Sequence, residues 1–322
     1  MLNNSEEEIP LDNFYAKVKP NNFRRFLSRF SFGLSTGYGS TFLRHSLNGF
    51  GVNQRVGATP TIYSLNGANT VYYSNWINDV TIASNNIGGQ EIIDPNNKLG
   101  FKGKATNIPI KLTVHYEFME KFRIGGGVSY EMMSIGTLQP TSYMDKIESI
   151  KPSRSFGIMS KYFGLIGFSF YRIRDYRFTG DLQVGSYKPG NNFNKSLILA
   201  GYFFNLGVTF EKEFSEIIKV FIRPSFESKK YDISIPNTTL KIDHSLNAFY
   251  INFGISYSIP SLRKCFISNC RTQHNHPHGN REYRSRVHPI YMMQNPPYGK
   301  NPPFYSDPKI KKRSPRLKIK SK

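Results

Sequence analysis

At 322 residues the chain is long enough to enclose a sizeable folded body, and 39% hydrophobic content with a mean hydropathy of −0.44 resembles a soluble protein in bulk. No apolar run reaches the roughly 18 residues of a spanning helix, which excludes a helical membrane protein but not a barrel, whose strands hide half of each face from an average. The net charge of +21 is uneven: fifteen Lys and Arg against Glu282 and Asp307 lie from Ser261 onward, which suggests a binding tail appended to a folded body.

Residues 1–29 begin acidic at Glu6, Glu7 and Glu8 and turn basic and aromatic in FRRFLSRF, where Phe23, Phe26, Leu27 and Phe30 suit a short helical face. The opening residues have neither a basic n-region nor an apolar h-region, so an exported protein would be met here in mature or trimmed form. From Phe30 to Phe42 large residues alternate with small ones, the period of a strand. Residues 43–107 read as one long connection with a hairpin around Asn66-Gly67, and so long a connection is expected to be functional or extended.

Strands and connections then alternate. The second strand carries Ile108, Ile110, Leu112, Val114, Tyr116 and Phe118 on one face, and the third follows a tight turn from Phe122 to Met132. A polar loop is expected over 133–158. Further strands are expected at about 162–171, 176–187, 196–210 and 217–227, then a loop over 228–246. The last strand, NAFYINFGISYSI, places Phe249, Ile251, Phe253, Ile255, Tyr257 and Ile259 on one face and small or polar residues on the other.

Eight strands of about ten residues, joined by connections alternately long and short, match an antiparallel transmembrane β-barrel with short periplasmic turns and long extracellular loops. The expected division is a segment over 1–29, a barrel over 30–259 and a tail over 260–322, with both termini periplasmic because the strand number is even. A soluble lipocalin-like barrel has a similar strand count but would turn its large apolar faces inward.

Over residues 30–259 the chain resembles the small outer-membrane β-barrel proteins of Gram-negative bacteria. Its last strand resembles the terminal signal read by the barrel assembly machinery (polar, any, Gly, any, any, aromatic, any, hydrophobic) at Asn252, Gly254, Tyr257 and Ile259. The tail departs from most such clients, which end at that strand. The Asn-, Lys-, Ile-, Tyr- and Phe-rich style with a post-barrel tail is similar to barrels of Bacteroidota envelopes, including accessory barrels of type IX secretion. This resemblance implies an outer-membrane location, contact with outer-membrane lipid and passage through the assembly machinery.

With the large faces in lipid, the interior collects Lys111, His115, Glu117, Arg123, Glu131, Arg177, Asp181, Lys219, Arg223 and Glu227, expected as a network of ion pairs filling a narrow lumen. A narrow ion path is one alternative. A lipid-modifying enzyme is another, since outer-membrane lipid hydrolases use a His, a Ser and an acid, and His115 and Glu117 share a face; no serine is visibly placed as a nucleophile. No cofactor or catalytic function is expected.

Cys265 and Cys270 suggest a disulfide in an oxidising periplasm, with thiols as the alternative. With His274, His276 and His278 they form a Cys and His array able to bind zinc or copper, although its spacing matches no standard zinc module and no metal is the expectation. The tail repeats Asn-Pro-Pro-aromatic and offers Tyr291, Tyr298, Phe304 and Tyr305 as anchors and Lys311, Lys312 and Arg313 as charges. A solvated end is one reading. The favoured one is docking to a periplasmic or outer-membrane protein, with the barrel as a scaffold in an envelope complex; no nucleic-acid partner is expected behind a barrel.

Overall fold

A computed structural model describes residues 22–66, 71–83, 88–96, 98–119, 121–173, 175–215, 217–270, 276–278 and 281–284. Eight long strands close into a ring: β1 (Phe30–Ser46), β7 (Gly100–Phe118), β8 (Phe122–Pro140), β9 (Phe156–Ile173), β10 (Tyr176–Lys188), β11 (Ile198–Glu213), β12 (Ile218–Ser234) and β13 (Lys241–Ser258). Each pairs antiparallel with its neighbours in chain order, and β1 closes on β13 from Ser31 opposite Ser258 to His45 opposite His244. Closure leaves no exposed sheet edge in the ring.

The alternation read from the sequence fixes which way the side chains point. On β13, Phe249, Ile251, Phe253, Ile255 and Tyr257 are each at least half exposed, while Ala248, Tyr250, Asn252 and Ser256 are buried inside. Similar outward apolar rows run along β1, β7, β8, β9, β11 and the lower part of β12. A soluble barrel would bury these rows, so the exterior is that of a transmembrane barrel. On β8 the outward row runs from Phe122 to Tyr130, roughly 20 Å along the axis for strands tilted by about 40°. The rings of Phe118, Phe122 and Phe168 pack together at the short-turn end, and those of Phe42, Phe226 and Phe249 at the other, as interfacial girdles do.

The interior is not uniformly small. Tyr250 lies along the inner wall where a Cβ added at Gly39 would clash with its ring, and a Cβ added at Gly254 would clash with the Phe221 ring. Glycine at the register partner on the neighbouring strand is what admits these two rings.

The strands are longer than expected, 13 to 19 residues, and the connections correspondingly shorter. The connection expected over 43–107 spans 47–99; the loop expected over 133–158 spans 141–155; the one expected over 228–246 shrinks to 235–240. The reason is visible on β13, where inward Ile242 and Leu246 face outward Lys241, Asp243 and Ser245. The direction of the side chains is unchanged, but the apolar set has moved from the outer to the inner face, which breaks the pattern that marks a lipid-facing strand.

The long connection is compact rather than extended. It holds β2 (Phe50–Gln54), β3 (Thr61–Ser64), β4 (Tyr72–Ser74), β5 (Thr81–Ile82) and β6 (Gln90–Ile92) in one sheet of order β5-β4-β3-β2-β6. The β3–β4 pair is the expected hairpin.

Ahead of the ring, α1 (Asn22–Leu27) packs Phe26 against Phe30 and Tyr116, and the Arg24 side chain donates to the Pro260 carbonyl at 3.0 Å. Segments 22–29 and 259–270 therefore sit together at the short-turn end. Beyond the ring, β14 (Arg263–Lys264), β15 (His276–His278) and β16 (Arg281–Arg284) form a small sheet of order β14-β16-β15.

Candidate functional site

The lumen holds the largest concentration of buried charge. At the short-turn end, the Arg177 guanidinium donates to Glu117 at 2.7 and 2.9 Å and to Glu211 at 2.7 Å. Arg123 joins Glu211 at 2.7 Å to Asp181 at 2.9 Å, and Arg223 donates to the other Asp181 oxygen at 2.7 Å. Lys219 lies between Glu117 and Glu213, and Arg172 completes the edge with Glu213. A second layer sits above. Lys161 and Lys229 both bridge Glu131 and Glu227, with Tyr250 donating to Glu131 at 2.9 Å and Asn107 donating to the same carboxylate. Asn205 links the layers: it accepts from Arg223 at 2.7 Å and donates to Glu227 at 3.2 Å.

Among the described residues, each of the six carboxylates in these layers meets two cations. Charges removed from bulk water require such pairing, and the narrow ring brings opposite walls within reach of one salt bridge. A space of about 40 Å³ lies beside Lys111, Arg223 and Asn252, room for a few water molecules.

All ten expected lumen residues line this interior, but two depart from the expected network. Lys111 makes no ion pair with a described residue; its ammonium lies 5.6 Å from the Tyr250 ring. His115 reaches only Glu117, at 3.4 Å, and Arg177 already holds that carboxylate. A carboxylate so held is poorly suited as a base. Ser31, the β-register partner of His115, has its hydroxyl bonded to Ser258 at 2.8 Å.

Sequence reading missed Lys161, Lys229, Glu211 and Glu213, and the signal was available. Lys161 shares parity with inward Phe163 and Leu165, Lys229 with Arg223 and Glu227, and Glu211 and Glu213 with Asn205 and Thr209.

Above the charged layers the lumen becomes apolar. Trp76, Ile77 and Phe50 from the long connection pack on Phe101, Met133, Ile233 and Leu246 from the ring. Trp76 donates its indole N–H to His45 Nε2 at 3.1 Å, His45 packs on His244, and Tyr231 stacks on His244 with ring centroids 4.5 Å apart. Tyr231 donates to the Ile77 carbonyl at 2.6 Å, Tyr73 to Pro236 at 2.7 Å and Asn78 to Arg154 at 2.7 Å, so the cap is bonded to the ring and to two other loops. On its outer sheet Tyr63 and Tyr72 both approach Glu91, and burial with that nearby carboxylate pushes the Tyr63 phenol up to about 12.

The residues of the assembly signal occupy two faces: Asn252 and Gly254 inward, Tyr257 outward, and Ile259 just past the end of β13. Cys265 and Cys270, the expected disulfide pair, have their sulfurs among the side chains of His276 and His278. His274 and the tail residues Tyr291, Tyr298, Phe304, Tyr305, Lys311, Lys312 and Arg313 lie outside the described residues.

No protein-family model and no curated protein matches the chain. Solved structures with a similar trace include the outer membrane protease OmpT from Escherichia coli (12% identity, 71% of this chain and 96% of that one, TM-score 0.31). The outer membrane protein OprG from Pseudomonas aeruginosa is similar over the same shares at 9% identity and a TM-score of 0.37. The outer membrane protein AlkL is similar at 10% identity over 71% of this chain and 90% of that one, with a TM-score of 0.33. The eight-stranded antiparallel ring and its apolar belt place this chain, on its own geometry, among barrels of the outer-membrane type.

Proposed function

We propose that the protein is a closed, non-catalytic outer-membrane barrel that serves as a scaffold in an envelope complex. The observation that carries this reading is the stack of two obstructions in one lumen: the doubly paired carboxylates, then the apolar cap. A hydrated ion crossing it would have to break buried ion pairs and displace the core around Trp76. The paired state of the carboxylates also argues against acid–base chemistry there.

What remains for function are the two ends. The cap faces the long-loop side, taken as extracellular, and the basic tail leaves from the short-turn side, taken as periplasmic. The tail's Pro-Pro-aromatic repeats suit docking in an extended conformation, and its charge suits an acidic partner. The likeness in sequence style to Bacteroidota envelope barrels, including accessory barrels of type IX secretion, makes such a complex the first to test.

Deleting residues 285–322 should release a co-purifying envelope protein while the ring still inserts and keeps its heat-dependent gel mobility. An unchanged set of co-purified proteins would reject the scaffold reading. Purified full-length protein should give a flat trace in planar bilayers; steady unitary currents would favour the narrow-pore alternative instead.

A further inference from the structure

We infer that Cys265, Cys270, His276 and His278 form a zinc site that holds together the module following the barrel. One donor atom from each residue lies within 4.8 Å of the others. Cys270 Sγ is 3.2 Å from His276 Nε2, and the buried Nε2 of His278 has no hydrogen-bond partner. The two histidines stand two residues apart on β15, so the strand period brings both to one face. Cys265 directly follows β14, and its N–H donates to the Arg284 carbonyl on β16 at 3.0 Å. The four donors therefore come from the end of β14, the connection that follows it and β15.

Two thiolates and two imidazoles are a soft, closed donor set suited to tetrahedral Zn²⁺, and the absence of oxygen donors from the set disfavours magnesium or calcium. The need for a ligand is also physical. Strands of two, three and four residues do not hold a sheet alone, and among the described residues the ring contacts of this module are those of Phe266 with Tyr283 and His278 and of His278 with His276 and Tyr283. A metal supplies folding energy to units of this size. Binding at neutral pH displaces the two thiol protons and leaves a net-neutral Zn(Cys)₂(His)₂ centre, which adds no positive charge to a segment already rich in Arg and Lys. It would also protect both sulfurs from oxidation in a compartment that favours disulfides.

The test uses full-length protein purified in detergent without a metal-chelating tag. Elemental analysis should find about one zinc per chain. Cys270→Ser and His278→Ala should each lose it while the ring keeps its heat-dependent gel mobility, which separates loss of the site from loss of the fold. Both thiols should resist maleimide until a chelator is added, then react without reductant, and Co²⁺ in place of zinc should give the intense visible bands of a tetrahedral sulfur site. Zinc no higher than in the Cys265→Ser/Cys270→Ser variant, or cysteines that react only after reduction, would overturn the assignment.

Discussion

The lower and upper halves of the ring solve opposite problems with the same strands. Below about Asn247 on β13, the outer face is Phe249, Ile251, Phe253 and Ile255, and the inner face carries Asn252 and Ser256. Above it, Lys241, Asp243 and Ser245 face out, and Ile242 and Leu246 face in. The same exchange occurs on β12, where inward Glu227 and Lys229 give way to Tyr231 and Ile233, and on β7, where outward Ile108 gives way to Lys104 and Lys102. In the register, Ser228 lies opposite Asn247 and Lys229 opposite Leu246, so the two strands exchange at one height. A change of outer solvent explains both halves: hydrocarbon outside the lower part forces polarity inward, and water outside the upper part restores an ordinary apolar core.

The comparison is open to attack by substitution, and the expected effects fall in a definite order. Glu131→Leu should cost most, about 3–5 kcal/mol in reversible unfolding from detergent, because it leaves the two buried ammonium groups of Lys161 and Lys229 to share the single carboxylate of Glu227. Phe253→Lys should cost about 2–4 kcal/mol and lower insertion into vesicles, since it sets a charge near the middle of the lipid-facing row. Ile242→Val, inside the upper core, should cost about 0.5–1.5 kcal/mol, the ordinary loss of one buried methylene, and leave insertion unchanged. Ser245→Lys, on the same outward parity as Phe253 but above the belt, should stay within about 0.5 kcal/mol of the parent. Equal costs for the lysines at 245 and 253 would erase the distinction between the halves.

Legibility in the sequence divides along the same line. The ring, its strand number, the alternating connections and the lumen charges could be read because lipid imposes one unbroken contrast between faces. The upper strands resemble loops in the sequence because Ile242 and Leu246 carry the apolar signal on the face that is polar lower down. Following parity alone through that change extends β9, β12 and β13 and finds Lys161 and Lys229. The cap was not legible as a compact sheet because strands of two to five residues, β2 to β6, take their stability from Trp76 and Phe50 packing onto the ring rather than from local pattern. An oxidising compartment favours a disulfide between the cysteines, and the nearby histidines allow a metal array; the structure adds that β15 sets His276 and His278 beside both sulfurs.

The chain's single tryptophan is Trp76, enclosed in the cap, and it offers an internal reference for depth. In vesicles of brominated phospholipid, the parent protein should keep its fluorescence, Phe253→Trp should be strongly quenched, and Ser245→Trp should match the parent. Quenching of Trp76 itself, or an unquenched tryptophan at 253 in protein that stays in solution without detergent, would contradict the inversion of faces on which this account stands.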